Sequence, residues 1–468
     1  MSPEFPPRAL PAPLVPEQRA ELWTALRGLL GWQLDLARWP ALPRLPDATP
    51  IVSLYLDGRL VGCSGTSEGE PGARLARAFV QTLGDQRFGG LPEDARGRVV
   101  AQVSYPRAPR RVSPAAASAE IEVGTHGLLL VAPSVTASLL PDVAREHGLD
   151  TDGLLSALAE KAGLSREAWP EDGLFVFETE RVVARLGTKE PEVPLGDPVA
   201  AAASWLGARV GENGVEFGLD AATGQGVERP PMLHGRVAIL VRALFAQRSA
   251  RGAAVRAKRW LEGELARGLA GDRRVALPDS LPVLAGTLAL ASLAGVDCDA
   301  KLEELARAPE LASAPWYAAE VVTALGRRAP AELFDACLEH LTLEPFAPWT
   351  LAAAHARRDE AAVTRAAAGL VRSVRSERPH QGGVGPNVPE IARTAATVEA
   401  LAPVAVSAEA REAVELARAF LRRHQLSGAD YAMTPEPAWV TGAFPISPIA
   451  HFLQIDVTAH ALLALASS

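Results

Sequence analysis

Up to about Lys189 this sequence mixes short β-like runs with helical ones, and beyond it the β-like runs stop while Ala, Leu and Arg dominate. One packed domain is not built that way, so the change divides the chain into an α+β unit and an all-helical unit. The stretch GTKEPEVPLGDP at the seam reads as a linker from its Pro, Gly and charge content. Length agrees, because 468 residues exceed what a single hydrophobic core organises. The expected division is a disordered Pro-rich lead over 1–16, an α+β domain over 17–186, the linker over 187–197 and a helical domain over 198–468.

In the first part, Leu22, Leu26, Leu29, Leu30, Leu34 and Leu36 recur at roughly helical spacing between Glu17 and Arg38. IVSLYL, Asp57-Gly58 and RLVGC then read as strand, two-residue turn and strand, since Asp-Gly suits a turn with positive φ at both positions. Further β-like runs lie at Val99–Tyr105, Glu120–Gly124, Leu128–Ala132 and Leu174–Glu178. Helical runs lie at Ala73–Leu83, Pro141–His147 and Gly153–Ala162, the last with Asp150 or Thr151 as N-cap. Strands and helices do not alternate regularly, which argues against a doubly wound sheet.

About a dozen helical segments follow, from Pro198–Arg209 to Ile455–Ser467. Two of them echo each other. Thr394-Ala395 followed by Ala400-Leu401-Ala402 matches Thr458-Ala459 followed by Ala464-Leu465-Ala466, each after a Gly/Pro-rich loop. Repeated helix–loop units of this kind stack as hairpins, closing into an α/α toroid or, as the alternative, extending into an open α-solenoid. The apolar run of the last helix favours enclosure, and with it a ring.

Charge and cysteine usage narrow the function. The formal net charge is −8, and the basic groups Arg107, Arg110, Arg111 and Arg372, Arg375, Arg378 are not interleaved with stacking aromatics, so nucleic acid is not an expected partner. Cys63, Cys298 and Cys337 are odd in number and far apart, which gives neither a disulfide framework nor a CxxC metal site, and no metal is expected. A reducing cytoplasm is the expected location. No apolar run reaches membrane-spanning length and the first residues lack the order of a signal peptide. P-loop, Rossmann glycine, HExxH and GxSxG motifs are absent.

Four segments of the first domain share one further property. LYLDGRLVGCSGT, GDQRF, EIEVGTHGLLL and SLLPDVAREHGL occur in the order of the AMMECR family's Gly-Cys hairpin, Asp-x-Arg-Phe element, Gly-x-His-Gly-Leu turn and Leu-Leu-Pro-x-Val helix. Residues 17–185 therefore resemble that family. Three positions depart from its pattern: Val61 stands where arginine is usual, Ser64 where isoleucine is usual, and Gly89-Gly90 where Pro-Pro is usual. The resemblance implies an α+β fold and partners of the MEMO or radical SAM type, and it names no reaction. The final segment, GAFPISPIAHFLQIDVTAHALLALA, resembles the last hairpin of six-hairpin toroids.

Cys63 is the leading catalytic candidate, because the small residues after it and the helix within ten residues would lower a thiol pKa. His126 is the candidate base for it. Gly62, Ser64, Gly65, Thr66 and Arg87 are candidate ligand contacts around it. In the second domain Asp456 and His460 are four apart on one helix face and are expected at a central cavity. The cofactor and oligomeric state are left open. Two functions follow: an enzyme or enzyme subunit of small-molecule or peptide modification with a cleft around Cys63, or a non-catalytic ligand-binding or scaffold protein.

Overall fold

The Asp-Gly pair sets the register of the first domain. In the computed structural model, which describes residues 8–31, 45–88, 91–186, 188, 195–227, 230, 232–339, 347–429 and 431–467, Asp57 and Gly58 take positive φ of 49° and 79°. They join β1 (Ile51–Leu56) to β2 (Arg59–Gly65) as an antiparallel hairpin. β3 (Val99–Arg111) pairs with β1, β6 (Leu174–Arg185) with β3, and β4 (Gly127–Ala132) with both β6 and β5 (Val135–Leu139). Among the described residues the antiparallel order is β2-β1-β3-β6-β4-β5.

Helices cover this sheet on both faces. α1 (Pro16–Leu30) lies on β3 and β6, α2 (Pro71–Leu83) on β1 and β2, and α5 (Thr151–Ala162) on β5. Leu22, Leu26, Leu75 and Phe79 pack on Val52 and Leu54 on one face, while Leu154 and Leu158 pack on Leu128 and Leu130 on the other. Period-two alternation along each strand divides the two sets. The sheet also curls, so that Cys63 on one edge meets Leu129 and Phe177 from β4 and β6. Asp150 caps α5 by accepting the Gly153 N–H at 2.9 Å.

Several local expectations change. β2 continues two residues past Cys63, and β5 was not foreseen. Glu120–Gly124 is no strand: α3 (Ala117–Glu120) ends there, and the Glu122 N–H donates to His126 Nδ1 at 3.0 Å while the His126 N–H returns to the Glu122 carbonyl. Local bonds of this kind compete with a ladder and here they win. Within the Pro-rich lead, Leu10 and Leu14 are buried, and the Leu10 N–H donates to the Pro106 carbonyl at 2.8 Å. Leu34 and Leu36 lie outside the described residues.

α4 (Asp142–His147) precedes α5, and after β6 the named elements among the described residues are helical except for the short pair β7 (Gly218–Asp220) and β8 (Phe452–Gln454). Its helices are α6 (Pro198–Ala208), α7 (Leu233–Phe245), α8 (Arg251–Leu269), α9 (Leu281–Leu293), α10 (Asp299–Leu305), α11 (Pro309–Ala312) and α12 (Pro315–Leu325). They continue as α13 (Ala331–Glu339), α14 (Ala347–Arg357), α15 (Glu360–Ser373), α16 (Ile391–Leu401), α17 (Ala408–His424) and α18 (Ile455–Ala466). Each of α7, α9, α12, α14, α16 and α18 packs on the next, and α18 returns to α7. The remaining longer helices pack against that circuit, α6 on α18, α8 on α7, α13 on α12, α15 on α14 and α17 on α16.

The echo between α16 and α18 has a physical basis. Thr394 Oγ1 accepts the Val384 N–H at 3.0 Å, and Thr458 Oγ1 accepts the Phe444 N–H at 3.1 Å. Each fully buried hydroxyl thus satisfies a buried donor of the Gly/Pro-rich loop before its helix.

The two halves share a core. Tyr55, Val100 and Val183 of the sheet belong to the apolar cluster of the helical domain. The buried Arg185 guanidinium donates to the carbonyls of Gly428, Tyr431 and Thr434 at 3.0, 2.8 and 3.1 Å. Residues 187 and 189–194 of the linker lie outside the described residues.

Candidate functional site

β2 is an edge strand, so alternate residues turn backbone groups away from the sheet without a strand to receive them. Cys63 is one of these, and side chains serve its peptide groups. Its N–H donates to Asp85 Oδ2 at 3.1 Å and its carbonyl accepts from Arg87 at 2.8 Å. Arg87 is paired in turn with Asp85 at 2.6 Å. The Asp85-x-Arg87 element thus stands in for a missing strand. Arg87 also holds the Asp85 carboxyl down at about 2. The guanidinium proposed as a ligand contact is engaged in holding the backbone of the candidate nucleophile.

Gly62 has a packing role. A Cβ there would lie 2.3 Å from the Thr82 carbonyl oxygen, so its absence lets α2 close on β2. Ser64, Gly65 and Thr66 do line a cavity with Cys63, Lys161, Leu129 and Phe177, of about 320 Å³. Within it, Ser53 Oγ donates to Cys63 Sγ at 3.5 Å and Lys161 Nζ donates to the Ser138 carbonyl at 2.7 Å. Burial raises the Cys63 thiol pKa, and the Ser53 hydrogen bond and the Lys161 charge offset this only in part. That is opposite to the lowering expected from a helix end, because Cys63 sits inside a strand and faces apolar side chains.

His126 is not brought to Cys63. Its Nδ1 is taken by the Glu122 N–H, and the charges that act on it are those of Arg110, Arg378, Glu178 and Glu120. Burial first, then Arg110 and Arg378, pushes this imidazole down to about 4. Lys161 also lines the cavity beside Cys63, and sequence reasoning missed it. Nothing in the spacing marks a lysine near the end of α5 as facing a strand about a hundred residues earlier.

A second cavity, of about 300 Å³, lies among the helices of the closed circuit. Arg242 of α7, Leu290 of α9, Glu320 of α12, Trp349 of α14, Glu399 of α16 and His460 of α18 all line it, one from each helix. His460 Nδ1 and Glu399 Oε1 are 2.5 Å apart. Burial acts to lower His460, yet the Glu399 carboxylate outweighs it and holds the imidazole above its ordinary value. Asp456, one turn earlier, is drawn away: its Oδ2 pairs with Arg236 at 2.9 Å, and it is not part of the cavity wall.

Glu320, in the same wall, is only half satisfied. Its Oε1 accepts from Trp316 Nε1 at 3.1 Å, while its Oε2 is buried without a hydrogen-bond partner among the described residues. Burial pushes its carboxyl up to about 8. Glu320 and Glu399 were not singled out in the sequence, although a lone acid in an apolar helix such as PWYAAEVVTAL is a legible signal.

Comparison with known proteins bears on the first domain. A family model described as AMMECR1 matches residues 43–182. Protein TV1384 of Thermoplasma volcanium is 30% identical over 167 residues, covering 32% of this chain and 81% of that protein. The chain belongs to the AMMECR1 family. A protein of Methanothermobacter thermautotrophicus is 32% identical over 156 residues, covering 29% of this chain and 80% of that one. The crystal structure of the uncharacterized protein PH0010 from Pyrococcus horikoshii is similar at 23% identity and a TM-score of 0.33, covering 38% of this chain and 95% of that chain. The residues matched include the Asp85-x-Arg87 element and the Gly124–Gly127 turn, and the helical domain lies beyond them. Within the AMMECR1 domain, Val61 replaces the expected arginine and packs against the apolar cluster beneath α2.

Proposed function

We propose that the protein is an enzyme or enzyme subunit of small-molecule modification whose acid–base chemistry lies in the helical domain, which we read as an α/α toroid. One observation carries this: a carboxyl group, Glu320, is buried in a cavity wall with one oxygen unpartnered among the described residues and is held protonated to about pH 8. Buried polar groups without partners are rare in structural roles and common where a ligand completes them. The remaining charges define that ligand. Arg242, and His460 when it carries its proton, stand against one carboxylate, Glu399, with Glu320 neutral, and the balance is then positive by one. Leu290, Leu293, Pro348 and Trp349 supply apolar walls. The matching molecule is a small organic acid with an apolar body, and Glu320 is the group able to give it a proton.

Thermal melting with phenylacetate and with phenylacetamide tests this reading. The carboxylate should raise Tm and the amide should not, and Arg242→Gln should remove the difference. Equal shifts from both compounds, or no shift from either, would refute it.

The cavity beside Cys63 supports a second reading, non-catalytic ligand binding, because its thiol is held protonated by burial. In either case the family resemblance points to MEMO-type or radical SAM partners, and the cysteine usage to a cytoplasmic setting.

A further inference from the structure

Glu122 lies in the first domain, between α3 and β4, while His380 follows α15 and His424 ends α17 in the second. The fold brings all three together in the buried seam between the domains. One ligand atom from each lies within 4.8 Å of the other two, and His424 Nε2 is 3.9 Å from Glu122 Oε1. His380 is 1% exposed and His424 3%, so water reaches neither ring freely. Neither nitrogen of His380 has a hydrogen-bond partner among the described residues, and nor does Nε2 of His424. A neutral imidazole carries one donor and one acceptor, so His380 leaves both unsatisfied. A packing role does not explain this, since an apolar side chain would fill the space without the desolvation penalty.

We propose that Glu122, His380 and His424 bind a divalent transition metal, with Zn²⁺ as the best match, and that the metal ties the AMMECR1 domain to the helical domain. Two imidazoles and one carboxylate are a common ligand set for that ion. Bonds of about 2.0–2.1 Å in a tetrahedral arrangement need the ligand atoms roughly 3.4 Å apart, so the three side chains close in by about an ångström. The entry path is a polar cavity of about 290 Å³ that His424 also lines, together with Arg145, Arg423 and Tyr431. Three protein ligands leave a coordination position for water or a small anion.

The cationic surroundings work against a metal and supply the decisive test. Arg423 is 3.5 Å from Glu122 Oε1 and competes for that carboxylate, while also donating to the Gln381 carbonyl at 2.7 Å. Arg145 is bonded to the Pro448 carbonyl and Arg375 to those of Gly385 and Pro386. Of these, Arg423 alone contacts a proposed ligand directly. Replacing it should therefore strengthen binding, which no purely structural role of the cluster would produce.

The experiment is a Zn²⁺ titration of the untagged full chain, stripped with a chelator and dialysed, in competition with a chromophoric chelator. One equivalent should bind. His380→Gln and His424→Gln should each weaken it by at least the roughly 10–100-fold that loss of a supporting group costs. Glu122→Gln should also weaken binding, and Arg423→Met should tighten it. Co²⁺ should give a visible spectrum that His380→Gln abolishes. Absence of stoichiometric binding overturns the proposal. So does wild-type affinity in both histidine variants when their circular dichroism and metal-free Tm are unchanged. If those variants do not fold, Glu122→Gln and Arg423→Met decide the matter, and unchanged affinity in both overturns it.

Discussion

At Glu320 a carboxyl group keeps a hydrogen bond from Trp316 on one oxygen, and its burial raises it from an ordinary 4.5 to about 8. Between those values the unfolded chain is ionised at this position while the folded chain keeps its proton. The folded state then binds more protons, so this group's contribution falls as pH rises from 4.5 to 8. At about 1.4 kcal/mol per pH unit, roughly three and a half units amount to on the order of 5 kcal/mol. Glu320→Gln keeps an acceptor for Trp316 and removes the titration. Its stability relative to the parent should rise by a few kcal/mol between pH 5 and pH 8, read from urea unfolding at each pH. A difference that stays constant would mean that the carboxyl ionises normally. Cys63 follows the same rule, since a thiol among apolar side chains is held neutral whatever helix lies nearby in sequence.

Among the elements, the contact of α2 with β2 depends on Gly62. An added Cβ would meet a backbone carbonyl at 2.3 Å, and that oxygen cannot yield without moving the helix. Gly62→Ala should lower stability by about 1–3 kcal/mol, as overpacking does. Gly28→Ala provides the opposite case, because nothing lies within 4 Å of its Cβ position in α1. It should stabilise by about 0.5–1 kcal/mol through helix propensity. Thermal melts of the two variants should therefore move in opposite directions. The helical hairpins rely on a different device, the buried threonines that bind the loops before α16 and α18.

Over the whole molecule, the domains are joined by more than a linker. Tyr55, Val100 and Val183 share the helical core, and Arg185 spends its guanidinium on three carbonyls across the seam. Desolvated groups of this kind hold an interface when the covalent connection is cut. The composition of 187–197 makes it the expected site of limited proteolysis. The nicked halves should co-elute in size-exclusion chromatography under native conditions and separate only in denaturant. Separation in buffer would show that the shared core contributes little.

Patterns within one element were legible in the sequence. Apolar spacing located the helical runs of the second half, Asp57-Gly58 located the hairpin, and the Thr394 and Thr458 echo marked two like helix–loop units, which the structure shows to share one hydrogen-bonding device. These rest on local chemistry: backbone dihedrals, 3.6-residue periodicity and hydrogen bonds within about fifteen residues. Glu120–Gly124 misled because its strand-like alternation lost to local bonds with His126. The sites depended on the tertiary structure. The curl of the sheet chose Lys161 as the companion of Cys63 and left His126 elsewhere. Closure of the helical circuit placed Glu320, Glu399 and His460 on one wall, and docking of the domains placed Glu122 beside His380 and His424. No spacing in the sequence encodes such meetings, because contacts between distant residues are decided by how whole elements pack, and packing is a property of surfaces that form only once the chain has folded.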